Sequence, residues 1–139
     1  MNYKNLPRGI RNRNPGNIRR GNTRYKGETH GSDTAFKSFV SMEWGYRAIF
    51  VLLHTYAVRH GLNTIRSMIS RYAPAQENDT TNYIESVSKH SRIEADRQVN
   101  TLSASDMIPI VTAISRVENG LLPNEAQIRR GWELFRVDF

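Results

Sequence analysis

The fold of this chain is inferred from one stretch near its end, Ala113-Ile114-Ser115-Arg116-Val117-Glu118-Asn119-Gly120. Apolar side chains within and just before this stretch recur at the spacing of one helix face: Ile110, Val111, Ile114 and Val117. This spacing predicts a buried helix. Gly120 is the residue type that commonly ends a helix in the left-handed conformation. Glu118 therefore falls in the last turn of the predicted helix.

The predicted position of Glu118 suits acid–base chemistry. The helix dipole disfavours negative charge in the last turn, and apolar neighbours disfavour it further by excluding water. A carboxyl group that holds its proton near neutral pH can act as a general acid. A solvated Glu beside a helix cap would have no such role. The spacing alone leaves both interpretations open.

Composition indicates one domain that spans residues 1–139, with 38% hydrophobic residues and a mean hydropathy of −0.60. No apolar run reaches membrane-spanning length. The chain lacks cysteine, which excludes disulfides and thiolate metal sites. Its four histidines lack a tight ligand spacing, so we expect no metal and no cofactor. The first residues contain no apolar segment, so we expect no secretory signal.

The net charge of +7 is unevenly distributed, because many basic residues precede the first acidic residue, Glu28. A basic face implies an anionic partner, either nucleic acid or an anionic bacterial cell-wall surface. The residues that we expect to form this basic surface are Arg11, Arg13, Arg19 and Arg20.

Residues 1–35 are predicted to form an extended basic arm and a hairpin lobe. Residues 14–17, Asn-Pro-Gly-Asn, are typical of a turn. Residues 17–19 could form a short strand that pairs with the alternating segment 35–40. Residues 41–139 are predicted to form the helical lobe. The expected class is therefore α+β, mostly α-helical, with a small β-hairpin lobe.

Five helices are predicted in the helical lobe from capping residues and apolar periodicity. Their expected starts are Ser41, Asn63 or Thr64, Asp79 or Thr80, Ser103 or Ser105, and Asn124. The first should end near His60, and Pro109 should lie in the first turn of the fourth. The expected core includes Ile49, Leu52, Ile69, Ile84, Val111 and Ile114.

Four short motifs carry a family resemblance. They are Glu118-Asn119-Gly120, Asn14-Pro15-Gly16-Asn17-Ile18-Arg19, Arg71-Tyr72-Ala73-Pro74 and Asp79-Thr80-Thr81-Asn82-Tyr83-Ile84. Together they resemble motifs of lytic transglycosylases and bacterial glucosaminidases in the lysozyme-like superfamily. The glutamate motif comes last here and first in that superfamily, which is the order that a circular permutation would produce. Chain ends often lie close in space, so a permutation is physically reasonable.

Almost the whole chain also resembles phage and prophage proteins of similar size. The shared features are a Gly-Ile-Arg-Asn-x-Asn-Pro-Gly-Asn-Ile-Arg start, an Ala-Pro-x-x-Glu-Asn-Asp-Thr middle and a Glu-Asn-Gly end. Those proteins occur as virion-associated or lysis proteins. The resemblance implies a monomeric lysozyme-like protein that acts on the bacterial cell wall, either from the virion or after release at lysis.

The resemblance also implies a set of site residues. Glu118 would protonate the oxygen of a β-1,4 glycosidic bond in peptidoglycan, and Glu77 is the alternative acid. The residues expected to bind the glycan strand are Asn17, Ile18, Tyr72, Asp79, Thr80 and Tyr83. A lytic transglycosylase needs only one carboxylate, whereas a hydrolase needs a second to orient water. The candidates for that second carboxylate are Glu28, Asp33 and Glu77. The Asp-Thr-x-x-Tyr-Ile match favours the one-carboxylate route.

Two other functions remain open at this stage. The basic arm, with Tyr3 and Tyr25 interleaved, could track a phosphate backbone as a nucleic-acid-binding module. Alternatively, the chain could keep the fold as a catalytically inactive structural part of a virion. Wall-degrading activity separates the enzyme from the structural protein, and salt-dependent nucleic-acid affinity identifies the binding module.

Overall fold

The computed structural model describes residues 5–139, which fold into helices and one small antiparallel sheet. The α+β, mostly α-helical class is confirmed. The elements in chain order are α1 (Arg8–Arg11), β1 (Glu28–Thr29), β2 (Ser38–Phe39), α2 (Met42–His60), α3 (Ile65–Tyr72), α4 (Thr80–Ser91), α5 (Ala104–Asn119) and α6 (Glu125–Asp138).

The long helices begin at predicted capping residues, because a side-chain oxygen there accepts a backbone N–H that has no partner within the helix. These caps are Ser41, Thr64, Asp79, Ser103 and Asn124. Gly61 and Gly120 end α2 and α5 in the left-handed conformation, with φ of 67° and 68°. The predicted position of Pro109 in the first turn of its helix was wrong. Since α5 begins at Ala104, Pro109 lies beyond the first turn and inside the helix.

The helices surround a core that contains residues from both predicted lobes. Helix α2 packs along α6, where Phe50 meets Trp132 and Phe135 at ring-centroid distances of 5.0 and 6.0 Å. Five of the six predicted core residues are buried: Ile49, Ile69, Ile84, Val111 and Ile114. Leu52 is only partly buried, because it lies in the wall of a surface groove.

The N-terminal segment folds against the helices, so the expectation of an extended arm was wrong. Asn14 is completely buried, and its amide nitrogen donates to the carbonyl oxygens of Ile18 and Lys37, both at 2.9 Å. Its side-chain oxygen accepts the N–H of Ile18 at 3.0 Å. The Ile18 carbonyl also accepts the backbone N–H of Lys37 at 3.0 Å, so the Asn14 side chain joins the two segments at the point where their backbones pair.

The hairpin pairs different residues from those predicted. Strands β1 and β2 are antiparallel, with Glu28 opposite Phe39 and Thr29 opposite Ser38. The predicted pairing of residues 17–19 with segment 35–40 forms only as a bridge between Arg19 and Phe36, with backbone hydrogen bonds from Lys37 N–H to the Ile18 carbonyl at 3.0 Å and from Arg20 N–H to the Ala35 carbonyl at 2.9 Å. The lobe also contains the short helix α1, which the sequence analysis missed.

Two expectations about the chain as a whole stay predictions. A permutation predicts that the chain ends lie close together. Residues 1–4 lie outside the described residues, so the distance between the ends lies outside them as well. The assignment of residues 1–139 to one domain also stays a prediction. Within residues 5–139, no helix combines the length and apolar character that a membrane crossing requires.

Candidate active site

A groove of about 410 Å³ separates the N-terminal segment from α2 and the connection between α3 and α4. Its walls carry several aromatic and amide side chains, and Glu118 lies among them. The lining includes Asn17, Tyr25, Tyr56, Arg71, Tyr72 and Glu118. A concave surface with aromatic walls and a few convergent polar groups is the usual setting of a ligand site.

Two side chains hold the Glu118 carboxyl group at the end of α5. Its Oε1 accepts a hydrogen bond from Asn17 Nδ2 at 2.8 Å, and its Oε2 accepts one from the Tyr83 hydroxyl at 2.7 Å. The residue is half-buried. Because each carboxyl oxygen has its own donor, the orientation of the group in the groove is fixed.

The loop that carries Asn17 is itself tied to α5. Asn119 Nδ2 donates to the carbonyl oxygens of Pro15 and Ser115, both at 2.9 Å. Asn17 adopts a left-handed backbone conformation with φ of 49°, which Asn tolerates better than most residues. Asn119 therefore fixes the loop, and the adjacent Glu118 accepts the hydrogen bond from the Asn17 amide in that loop.

Tyr72 supports the same loop from the side of α3. Its hydroxyl donates to the carbonyl oxygen of Gly16. A Cβ at position 16 would collide with this hydroxyl and with Ile49, so the close approach requires glycine. Burial raises the pKa of both Tyr72 and Tyr83 well above the usual range. Both hydroxyls therefore remain protonated donors at neutral pH.

The carboxylates of the hairpin lobe are committed to structural contacts. Asp33 accepts hydrogen bonds from Arg8, Asn12 and two backbone N–H groups. The Arg8 hydrogen bond in particular holds the pKa of Asp33 well below its usual range. Burial disfavours ionisation of Glu28, but the hydrogen bonds from Lys37 at 2.9 Å and from the Tyr25 N–H, together with the charges of Lys37 and Arg24, outweigh this effect and lower the pKa of Glu28. Neither residue lines the groove.

Glu77 lies in the groove wall together with Glu118. Its side chain is half exposed and pairs with Arg19 at 3.3 Å. The Arg19 guanidinium in turn lies over the Phe36 ring, 5.0 Å from its centroid. The pair therefore joins the loop before α4 to the N-terminal segment at the rim of the groove.

The structure brings most of the predicted site residues together and leaves two outside. Those at the groove are Asn17, Ile18, Tyr72, Glu77 and Glu118, with Tyr83 in contact with Glu118. Asp79 instead caps α4 by accepting the N–H of Asn82, and the Thr80 hydroxyl donates to the carbonyl oxygen of Ala73. Neither lines the groove, so their predicted part in substrate binding is replaced by a structural one.

The groove also contains aromatic and basic residues that the sequence did not identify as site residues. Tyr56 is largely buried, yet it lines the groove one turn after Leu52. Arg71 lies over the Tyr56 ring, 5.4 Å from its centroid. Tyr25 completes this wall, and burial raises its pKa to about 12. The spacing of Leu52 and Tyr56 on one face of α2 was the available signal.

The predicted basic surface is formed only in part. Arg13, Arg19 and Arg20 are exposed, whereas Arg11 is half-buried. Arg11 differs because it belongs to α1, which packs against α5 rather than extending into solvent. Among residues 5–139, no cluster of three or more His, Cys, Asp or Glu side chains could hold a metal ion.

Comparison with known proteins gives one clear relationship. No family model matches the chain. Protein P5 of Pseudoalteromonas phage PM2 is 36% identical over 132 residues, which cover 91% of this chain and 80% of the phage protein. The chain belongs to the Protein P5 family. Membership of the Protein P5 family confirms the relationship to a bacteriophage protein that the sequence motifs implied. The lysozyme-like part of that resemblance stays a prediction.

Proposed function

We propose that this chain is a peptidoglycan-degrading glycosidase that cleaves the β-1,4 glycan backbone, with Glu118 as general acid. The observation that carries the proposal is the Glu118 carboxyl group in an open groove, with Asn17 on one oxygen and Tyr83 on the other. A general acid must reach hydrogen-bonding distance of the atom that it protonates. A carboxyl of fixed orientation in a groove meets this requirement.

The proposed reaction begins with proton transfer from Glu118 to the glycosidic oxygen. The bond to the leaving sugar then breaks through an oxocarbenium-like transition state. The donors on Glu118 keep its carboxyl group aligned after the proton has left, since Asn17 and Tyr83 both hydrogen-bond to carboxylate oxygens.

The arrangement of the other carboxylates favours a lytic transglycosylase over a water-using hydrolase. Glu28 and Asp33 are held in ion pairs outside the groove. Glu77 is at the rim, paired with Arg19. In the proposed one-carboxylate route, a hydroxyl group of the substrate attacks the cationic carbon, gives its proton to the Glu118 carboxylate and forms an anhydro sugar. No carboxylate is then needed to orient water.

The family relationship supports a setting in phage infection. Protein P5 belongs to a bacteriophage, and degradation of the host wall is needed both for entry and for release. We propose that the protein acts at the cell wall as a monomer, either from the virion or at lysis. Its net charge of +7 would attract it to anionic walls.

The test is the digestion of purified peptidoglycan by the wild type and by Glu118→Gln. The glutamine keeps the shape of the side chain but cannot donate a carboxylic proton, so turnover should fall by at least ~10²-fold. Glu85→Gln, on an exposed position of α4, is the matched control and should retain full activity. Thermal unfolding of each variant separates loss of chemistry from loss of fold.

Mass spectrometry of the products distinguishes the two routes, since anhydro and reducing ends differ by one water. Glu77→Gln should retain most of its activity in a transglycosylase and lose it in a hydrolase that uses Glu77 to orient water. A Glu118→Gln variant that digests peptidoglycan at the normal rate would refute the assignment of the acid. A wild type without activity would favour the inactive structural protein or the nucleic-acid-binding module.

A further inference from the structure

A second cavity lies directly beside the groove, inside the hairpin lobe. Its volume is about 220 Å³, and Gly21 and Lys37 line both spaces. A ligand that occupies the groove can therefore extend a side branch past Gly21 into the second cavity. The position of Gly21 leaves this passage open, because a Cβ built there would meet no atom within 4 Å.

The second cavity carries an excess of positive charge. Lys37 and Glu28 pair at 2.9 Å in its wall and neutralise one another. Arg20 and Arg24 also line it, and neither makes a salt bridge with a carboxylate among residues 5–139, although the charge of Arg24 helps to lower the pKa of Glu28. Arg20 donates to the carbonyl oxygen of Gly31 at 3.0 Å. This contact anchors Arg20 to the hairpin and leaves its other N–H groups for a ligand.

We infer that this cavity binds a carboxylate of the peptide stem that branches from the glycan strand. The inference rests on the proposed function, which places the glycan in the groove. Two guanidinium groups supply planar, always-charged donors that match the two oxygens of a carboxylate. The cavity is too small for a second glycan strand, whereas one acidic end of a peptide branch fits its charge and its connection to the groove.

The test compares Arg20→Ala/Arg24→Ala with a control that removes the same charge elsewhere. The control is Lys89→Ala/Arg129→Ala, at exposed positions of α4 and α6 that line neither space. Each enzyme is assayed on peptidoglycan with intact stems and on glycan strands whose stems an amidase has removed.

On stem-bearing peptidoglycan, kcat/KM of the double variant should fall roughly tenfold, the combined effect of two exposed charge contacts. On glycan strands without stems, kcat/KM of the double variant should equal that of the wild type. Amidation of the stem carboxylates should lower the wild type to the level of the double variant. The Lys89→Ala/Arg129→Ala control should behave as the wild type on every substrate. Arg24→Ala should show part of the effect without disturbing the Arg20 anchor.

Equal loss on both substrates, or no loss on either, would overturn the inference while leaving the glycosidase assignment intact. So would stronger inhibition by a phosphate polymer such as duplex DNA than by soluble stem peptide, if Arg20→Ala/Arg24→Ala abolished that inhibition, since the cavity would then be a phosphate site. A wild type that cleaves neither substrate would instead reject the proposed function, and the inference with it.

Discussion

The substitution Gly9→Ala tests how the N-terminal segment holds the candidate site. Gly9 is buried in α1, and a Cβ there would lie 2.8 Å from the Asn14 carbonyl oxygen and 3.0 Å from Asn17 Oδ1. It would also collide with Asn119 Oδ1. These three oxygens belong to the loop under Glu118 and to the end of α5, so the added methyl group would push apart the parts that position the acid.

Two effects of opposite sign set the magnitude. Alanine is preferred to glycine within a helix by up to ~1 kcal/mol, although α1 is so short that little of this is realised. Overpacking a tight site costs about 1–3 kcal/mol, and a backbone carbonyl cannot rotate away as a flexible side chain would. We expect a net loss of about 1–2 kcal/mol in the free energy of unfolding. For a domain of this size, the melting temperature should fall by about 3–8 °C.

Thermal unfolding followed by circular dichroism measures this loss, and peptidoglycan digestion below the transition measures the effect on the site. Gly21→Ala is the matched control for the stability measurement, because a Cβ there meets nothing within 4 Å. The control should keep the stability of the wild type. If Gly9→Ala were as stable and as active as the wild type, the tight contact between α1, the Asn17 loop and α5 would be disproved.

Two further predictions concern charge. The Arg8 hydrogen bond lowers the pKa of Asp33, so its carboxylate stabilises the fold above the unfolded-state pKa of about 4, and this stability is lost as the pH falls. Asp33→Asn should therefore lose about 1–3 kcal/mol at pH 7 and show a flatter decline below about pH 5 in chemical denaturation. Joint neutralisation of four basic residues should weaken binding to isolated cell walls and reduce the salt dependence of that binding. The four residues are Arg11, Arg13, Arg19 and Arg20. Sedimentation of the walls at increasing ionic strength measures the binding, and an unchanged salt dependence would contradict this role.

Local chemistry made the helices predictable. Each long helix starts at a residue whose side chain accepts its own helix N–H groups, as Ser41 and Asn124 do. Such signals lie within a few residues of the structure that they specify. The end of α5 was predictable for the same reason, since Gly120 and the apolar spacing before it are both local.

The N-terminal segment was less predictable because its structure depends on distant partners. Asn14 looks like a turn residue, yet its amide is buried against Ile18 and Lys37. Asp33 looked like a free carboxylate, whereas Arg8 and Asn12 enclose it. Nothing in the local sequence shows these contacts, since they form only when separate segments pack together.

Sequence motifs identified part of the candidate site, because several of its residues lie in short local patterns. Asn17, Tyr72, Tyr83 and Glu118 lie in motifs that could be matched, and the structure gathers them at one place. Asp79 lies in the same motif as Tyr83, but it caps α4, and a capping Asp has the same sequence signature as a ligand-binding Asp. Residue type and spacing could not separate these two roles.

The hydrogen bond between Asn17 and Glu118 joins residues 101 positions apart. Closing a loop of this length is entropically costly, and contacts so distant in sequence slow folding. A chain growing from its N-terminus therefore contains the segments of the groove walls well before it contains the acid. The proposed site would be complete only when synthesis has passed Asn119 and α5 has docked. A copy that stops before α5 would carry the loop of Asn17 without the carboxyl group that this loop holds.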